Sequence, residues 1–89
     1  MFSTLKQIPS KELRPGFHAR IMHSDAMTFV YWEIEKDALL PRHHHPHEQV
    51  AHMLEGEFEL TIDDQTQVMK AGMIAVIPGN SFHSGRAIT

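Results

Sequence analysis

PRHHHPHEQVAHMLEG, residues 41–56, gathers five of the chain's eight histidines between His43 and His52. Pro41 and Pro46 bracket the densest part and argue against a helix there, since proline removes an amide donor and pushes the preceding residue toward extended backbone. In an extended chain, residues two apart project to the same side, so His43 and His45 point together. Gln49 has the same parity and opens the apolar run of Val50, Ala51, Met53 and Leu54, from which it can face the same cavity. Three ligands from one short segment leave a metal ion under-coordinated. His83 is the only histidine after His52 and follows the turn at Pro78, where a strand end can carry it inward. The candidate site is therefore His43, His45, Gln49 and His83 around one divalent ion.

Neutral imidazoles suit zinc, nickel, copper and iron, while a carboxamide oxygen is a harder, uncharged donor, so the set names no single metal. It does specify charge. Three neutral histidines and a glutamine leave the ion's positive charge uncompensated, which makes it a strong Lewis acid wherever a coordination position stays open. Blander readings are an expression-tag remnant, which an internal position between strands disfavours, and an exposed histidine-rich loop, which His83 and the spacing disfavour. His44 has the wrong parity and is expected to face out. His47 has the right parity but follows Pro46, making it a reserve ligand or a residue acting behind the ligands. His18, His23 and His52 are expected to be structural or surface groups.

Outward from this segment the pattern is mostly period two, which marks strands with one buried face. Thr28 to Glu35 alternates Val30, Trp32 and Ile34 with Tyr31, Glu33 and Glu35. Glu57 to Asp63 places Phe58, Leu60 and Ile62 on one face, and Asp63, Asp64 and Gln65 turn it into Thr66–Lys70 as a hairpin. Met73 to Ile77 is a short apolar run closed by Pro78, Gly79 and Asn80, which reads as a buried strand ending in a turn. Toward the N-terminus, Ser10 to Leu13 is expected to form a helical turn and Ala19 to Met22 an edge strand. The aromatics Phe29, Tyr31, Trp32, Phe58 and Phe82 are expected in core or interface. Short strands with Gly, Pro and Asp turns indicate an all-β sandwich or barrel.

Composition narrows the partners. Eighty-nine residues with no repeat or linker make one domain, residues 1–89, near the size where one core is only marginally sufficient. There is no cysteine, so stabilisation must come from a metal or from oligomerisation. A formal charge of −3 with scattered Lys and Arg offers no footprint for nucleic acid or an anionic membrane. Neither a signal sequence nor a membrane-length apolar run is found, and a cytoplasmic location is expected.

These motifs resemble those of the cupin superfamily. His43 and His45 match its His-x-His, Gln49 falls where a Glu usually stands, and Gly56 closes the first motif. Gly72, Pro78 and His83 match the second. Asp37 and Asn80 stand where the motifs carry Gly, and both residue types tolerate positive φ. Ala87 stands where the second motif ends in Asn. The resemblance implies a cupin-type jelly-roll β-barrel (double-stranded β-helix), complete or lacking its last strand or strands. It also implies bound Mn, Fe, Ni, Zn or Cu, and a homodimer. HPHEQVAHMLEGEFEL and IPGNSFHSG are further similar to small single-domain cupins that convert unsaturated monouronates from pectin and alginate to linear keto sugars. Such members continue into a strand bearing an Asp and an Arg, whereas this sequence stops at Thr89, so no catalytic acid or base is named.

The expected function is a metal-dependent enzyme acting on a small polar substrate, such as an unsaturated sugar acid, by Lewis-acid-assisted isomerisation. The alternatives are a cupin dioxygenase, for which the usual Glu ligand is missing, and a non-catalytic sugar- or effector-binding module.

Overall fold

The alternating segments become backbone ladders: β1 (Lys11–Arg14), β2 (Phe17–His23), β3 (Thr28–Ile34), β4 (Leu39–His43), β5 (Gln49–His52), β6 (Glu57–Ile62), β7 (Gln65–Lys70), β8 (Ile74–Ile77) and β9 (His83–Ala87). These come from a computed structural model describing residues 1–89. No α-helix forms, and no helix is long and apolar enough to cross a membrane. The chain divides into two compact units, Met1–Glu35 and Lys36–Thr89.

The first unit is an antiparallel sheet in the order β1-β2-β3. Its N-terminal part corrects two expectations. The single helical turn is a 3-10 turn at Leu5–Gln7, whereas Lys11–Arg14 is strand β1, hairpinned to β2 through Gly16 at φ 81°. The Ala19–Met22 segment is not an edge, because β2 pairs on both sides. Arg20 lies in the middle of that strand. Its guanidinium donates to the carbonyls of Lys6 and Ile8, at 3.3 and 2.5 Å, so a charged residue sits in a central strand with its hydrogen bonds met. Phe17 and Ala19 are buried, and Phe17 meets Trp32 edge to face at 5.9 Å. The buried face expected for β3 is not realised. Phe29, Val30, Tyr31 and Trp32 remain 38–42% exposed, and β3 has a single strand neighbour.

In the second unit the pairs β4·β9, β5·β8 and β6·β7 are the rungs of one long antiparallel ribbon. The ribbon rolls on itself so that β6 also pairs with β9. This double-stranded winding is the jelly-roll arrangement, and it explains the strand order β4-β9-β6-β7 beside a separate β5-β8 sheet. The sheets are not closed into a ring. Leu60, Met69 and Ile77 form the core, with Met53, Phe58, Ile62, Met73 and Ala75 packed on it.

Strand β9 had no signature in the sequence, since Ser84, Gly85 and Arg86 lack apolar alternation. Gly85 lies opposite Leu60, and a Cβ there would fall on the Phe58 ring and within 2.8 Å of the Glu59 carbonyl. Close packing therefore demands a residue that weakens a strand's local signal. Asp37 and Asn80 adopt φ of 68° and 66°, the positive values expected where the motifs usually carry glycine.

Candidate metal centre

Register assembles the centre. His43 and His83 are direct partners across β4 and β9, and Ile62 flanks His83 on the other side. His83 is 2% exposed, its strand entry held by the Asp63 turn, whose N–H donates to the Phe82 carbonyl at 2.7 Å. His45 lies past the end of β4, where the chain bends toward Pro46. The Asn80 N–H donates to the His45 carbonyl at 2.7 Å. A Cβ on Gly79 would sit 2.5 Å from the Pro46 oxygen. The glycine of the Pro78–Asn80 turn thus allows the two histidine-bearing segments to touch backbone to backbone.

The rings converge, with centroids 4.1 Å apart for His43 and His83, 4.9 Å for His45 and His83, and 5.8 Å for His43 and His45. Their ligand atoms all lie within 4.8 Å of one another. Donors of a tetrahedral zinc site, at bond lengths near 2.0 Å, stand about 3.3 Å apart, so small side-chain movements suffice.

Tautomers follow from the backbone. Nδ1 of His43, His45 and His83 lies 2.8, 2.9 and 3.1 Å from the carbonyl oxygens of Pro41, His47 and Ser81. A carbonyl can only accept, so each Nδ1 carries the proton and each neutral ring leaves Nε2 as a bare acceptor. Oε1 of Gln49 stands 3.1 Å from Nε2 of His45. Three imidazole ligand atoms this close together fit a cation, and the Gln49 oxygen lies beside one of them. A reversed Gln49 amide would supply a donor to His45 but leave the other two imidazoles unmatched. Backbone partners that fix ring orientation in this way are characteristic of metal-ligating histidines. Burial pushes the His83 imidazole below its ordinary value, His43 and His45 add to the push, and the Ser81 carbonyl opposes it. The result favours the neutral, ligating form.

The other histidines separate by role. His47 acts through its carbonyl, which orients His45, while its own ring is exposed. His44 turns outward against Phe82, at 4.5 Å between centroids. His23 is hydrogen-bonded to Thr28, and His18 lies between two glutamates.

The inner face of the second unit also carries a cavity of about 70 Å³ lined by Leu60, Ile62, Gln65, Gln67, Met69 and Ala75, with no charged side chain. Gln65 is paired with Ile62, itself the neighbour of His83. The two glutamines were not singled out in the sequence, and only the hairpin register reveals which way they face. A wider groove of about 370 Å³, bordered by Glu59, Thr61, Ser84 and Arg86, uses residues of the opposite parity and so lies on the other side of this sheet from His83.

Among known proteins, residues 30–89 match the family model described as a cupin domain. A comparison with curated proteins gives no match. Among solved structures, an RmlC-like cupin from Shewanella frigidimarina NCIMB 400 is similar at 26% identity and TM-score 0.86, covering 99% of this chain and 80% of that one. KdgF from Halomonas sp. superposes at TM-score 0.91 with 20% identity, over 99% of this chain and 82% of its own. The Cnp3 cupin domain of Schizosaccharomyces pombe is similar at 17% identity and TM-score 0.78, over 96% of this chain and 58% of that chain.

Proposed function

Since the chain belongs to the cupin domain family, we propose that it is a single-domain, metal-dependent isomerase of a small polar substrate, an unsaturated sugar acid by first choice. His43, His45 and His83 would hold one divalent transition ion through Nε2, with Gln49 contributing Oε1. The carrying observation is the commitment of all three Nδ1 atoms to backbone carbonyls, which leaves three bare nitrogens converging. When bound, such an ion polarises a carbonyl or enol oxygen or lowers the pKa of a water.

The chain's own contribution is position and charge. Neutral ligands leave the electrophilic character of the site intact, and the hydrogen bonds at Pro41, His47 and Ser81 hold the rings against rotation. Ile62, Leu60 and Met69 exclude water from one side, while the Gln65 and Gln67 carboxamides offer both donors and acceptors to sugar hydroxyls. With no cation on that cavity wall, a substrate carboxylate would find its counter-charge in an ion held by the imidazole cluster.

The sugar-acid assignment rests on the wording of residues 45–60 and 77–85, which resembles uronate-ketonising cupins; the likeness to KdgF supports the fold. The metal-loaded protein is expected to accelerate the loss of the 4,5-double-bond absorbance of unsaturated monouronates. A rate equal to that in buffer removes this substrate. A sugar- or effector-binding module is the second reading, favoured by the absence of any carboxylate in the histidine cluster or on the cavity wall. It predicts saturable binding without turnover.

We further infer a homodimer. β3 is a terminal strand, reads TFVYWEI, and lacks the lysine, proline or bulge that ordinarily protects such an edge. Light scattering at micromolar concentration is expected to give twice the chain mass, and Tyr31→Lys to give the monomer. A wild-type monomer rejects the inference.

A further inference from the structure

Strand β3 has a definite backbone phase at its open edge. In an antiparallel ladder every second residue turns both its N–H and its carbonyl toward a given neighbour. Hydrogen bonds at the two ends of β3 fix which residues turn toward β2: the Met27 carbonyl accepts from Ser24 and the Glu35 N–H donates to Gly16, each at 2.8 Å. Phe29, Tyr31 and Glu33, paired with Met22, Arg20 and His18, follow the same phase. The N–H and carbonyl groups of Thr28, Val30, Trp32 and Ile34 therefore point away from β2, and no backbone group of the chain meets them.

These outward groups form a self-complementary row. Rotated about a two-fold axis, β3 of a second copy runs antiparallel to the first and presents the same alternation of donors and acceptors. With the axis at Tyr31, the whole of Thr28–Ile34 is overlapped, and the outward groups of Thr28 and Val30 meet those of Ile34 and Trp32 in the other copy. Moving the axis to Val30 or Trp32 keeps the phase but shortens the overlap. Side chains agree with the central register. Val30 stands opposite Trp32 of the other copy, a β-branched residue against an aromatic, while Tyr31 meets its own counterpart. Glu33, the only charged residue in the strand, falls opposite Phe29 and meets no like charge. Asp25, in the hairpin turn before β3, is brought toward Lys36, which lies beyond the far end of the strand and carries the opposite charge.

We propose that two copies of the chain join β3 to β3 about a two-fold axis at Tyr31, so that β1-β2-β3 of one copy continues into β3-β2-β1 of the other. The proposal rests on the homodimer inferred above and adds its interface and register. Each outward N–H and carbonyl of the edge then has a backbone partner, which removes the unpaired row that an open edge presents. The same register gives the reason for the expected effect of Tyr31→Lys, since it sets two ammonium groups against each other at the axis.

Disulfide trapping and hydrogen exchange test this. The chain has no cysteine of its own, so an introduced one reports cleanly. Tyr31→Cys is expected to give a disulfide-linked dimer under mild oxidation, because opposed residues that share no hydrogen bond stand about 4.5 Å apart at Cα, within disulfide range. Val30→Cys and Trp32→Cys should not link to themselves, since like residues there lie beyond roughly 7 Å. An equal mixture of the two should link. In the wild type the amides of Val30 and Trp32 should exchange at least tenfold more slowly than in Tyr31→Lys, whereas those of Phe29 and Glu33, bonded to β2, should be protected in both. A monomeric wild type overturns the homodimer and its interface together. A wild-type dimer in which Val30→Cys or Trp32→Cys links to itself and Tyr31→Cys does not, or in which the Val30 and Trp32 amides exchange freely, keeps the homodimer and overturns this interface.

Discussion

His83→Ala is expected to lower the affinity of the imidazole cluster for a divalent transition ion by more than roughly 100-fold, because disturbing even an outer partner of a ligand costs 10–100-fold. The loss is large because His83 is the only member of the four that does not come from residues 43–49. Without it, two imidazoles and an amide from one bend face an ion with no ligand on the β9 side. His44→Ala should leave affinity unchanged, since that ring is turned against Phe82. His47→Ala should also retain the ion, because His47 supports His45 with its carbonyl and not its ring. Metal content of untagged protein after dialysis against sub-stoichiometric chelator separates these outcomes. If His83→Ala retains the wild-type amount, the four-residue site is wrong. Acidification adds a sign. With its pKa lowered by burial, His83 holds fewer protons folded than unfolded just below pH 6.5, so its contribution to the metal-free fold is present above that pH and is lost as pH falls through that window.

Gly85→Val is expected to destabilise the chain by about 3 kcal/mol, or roughly 12–24 °C in Tm, placing it at the upper end of overpacking effects for a domain this small. The new Cβ would meet the Phe58 ring and the Glu59 carbonyl together. The ring can rotate away only by disturbing the core that Leu60, Met69 and Ile77 form, and the carbonyl belongs to a strand paired on both sides. Ser84→Val, one residue earlier on the opposite face, should change stability by less than about 1 kcal/mol. Combining Gly85→Val with Phe58→Ala should cost less than the sum of the two, since removing the ring relieves the overlap. Thermal unfolding followed by circular dichroism measures all three. Full additivity of the pair, or a Gly85→Val chain as stable as the wild type, would show that the close approach to Phe58 is not what excludes a side chain.

Strand β6 was legible because its alternation is local, with Phe58, Leu60 and Ile62 repeating every two residues before a turn that announces β7, while β8 was legible as an apolar run although Ile74 and Val76 on it are exposed rather than buried. The reading failed where a neighbour supplies what the segment lacks. Lys11–Arg14 has no apolar face of its own and becomes a strand because β2 pairs with it. The Ala19–Met22 segment was read as a strand but placed at an edge, whereas β1 and β3 flank it on both sides. In β3 the error was opposite, since a clean alternating pattern suggested a buried face and the residues remain exposed.

For the candidate site, the parity of His43 and His45 and the position of Gln49 at the start of the next strand, all within seven residues, were enough to make the three candidates together. The order of the two histidine motifs also sufficed to suggest the family. What only the tertiary structure decided was the pairing of His43 with His83 across forty residues, the proton on each Nδ1, and the exposed glutamate cluster around His18. Each depends on which strand lies beside which, and on carbonyls and ring faces that meet only after the ribbon has rolled up. Local periodicity records which way a side chain points, whereas register records what it meets there.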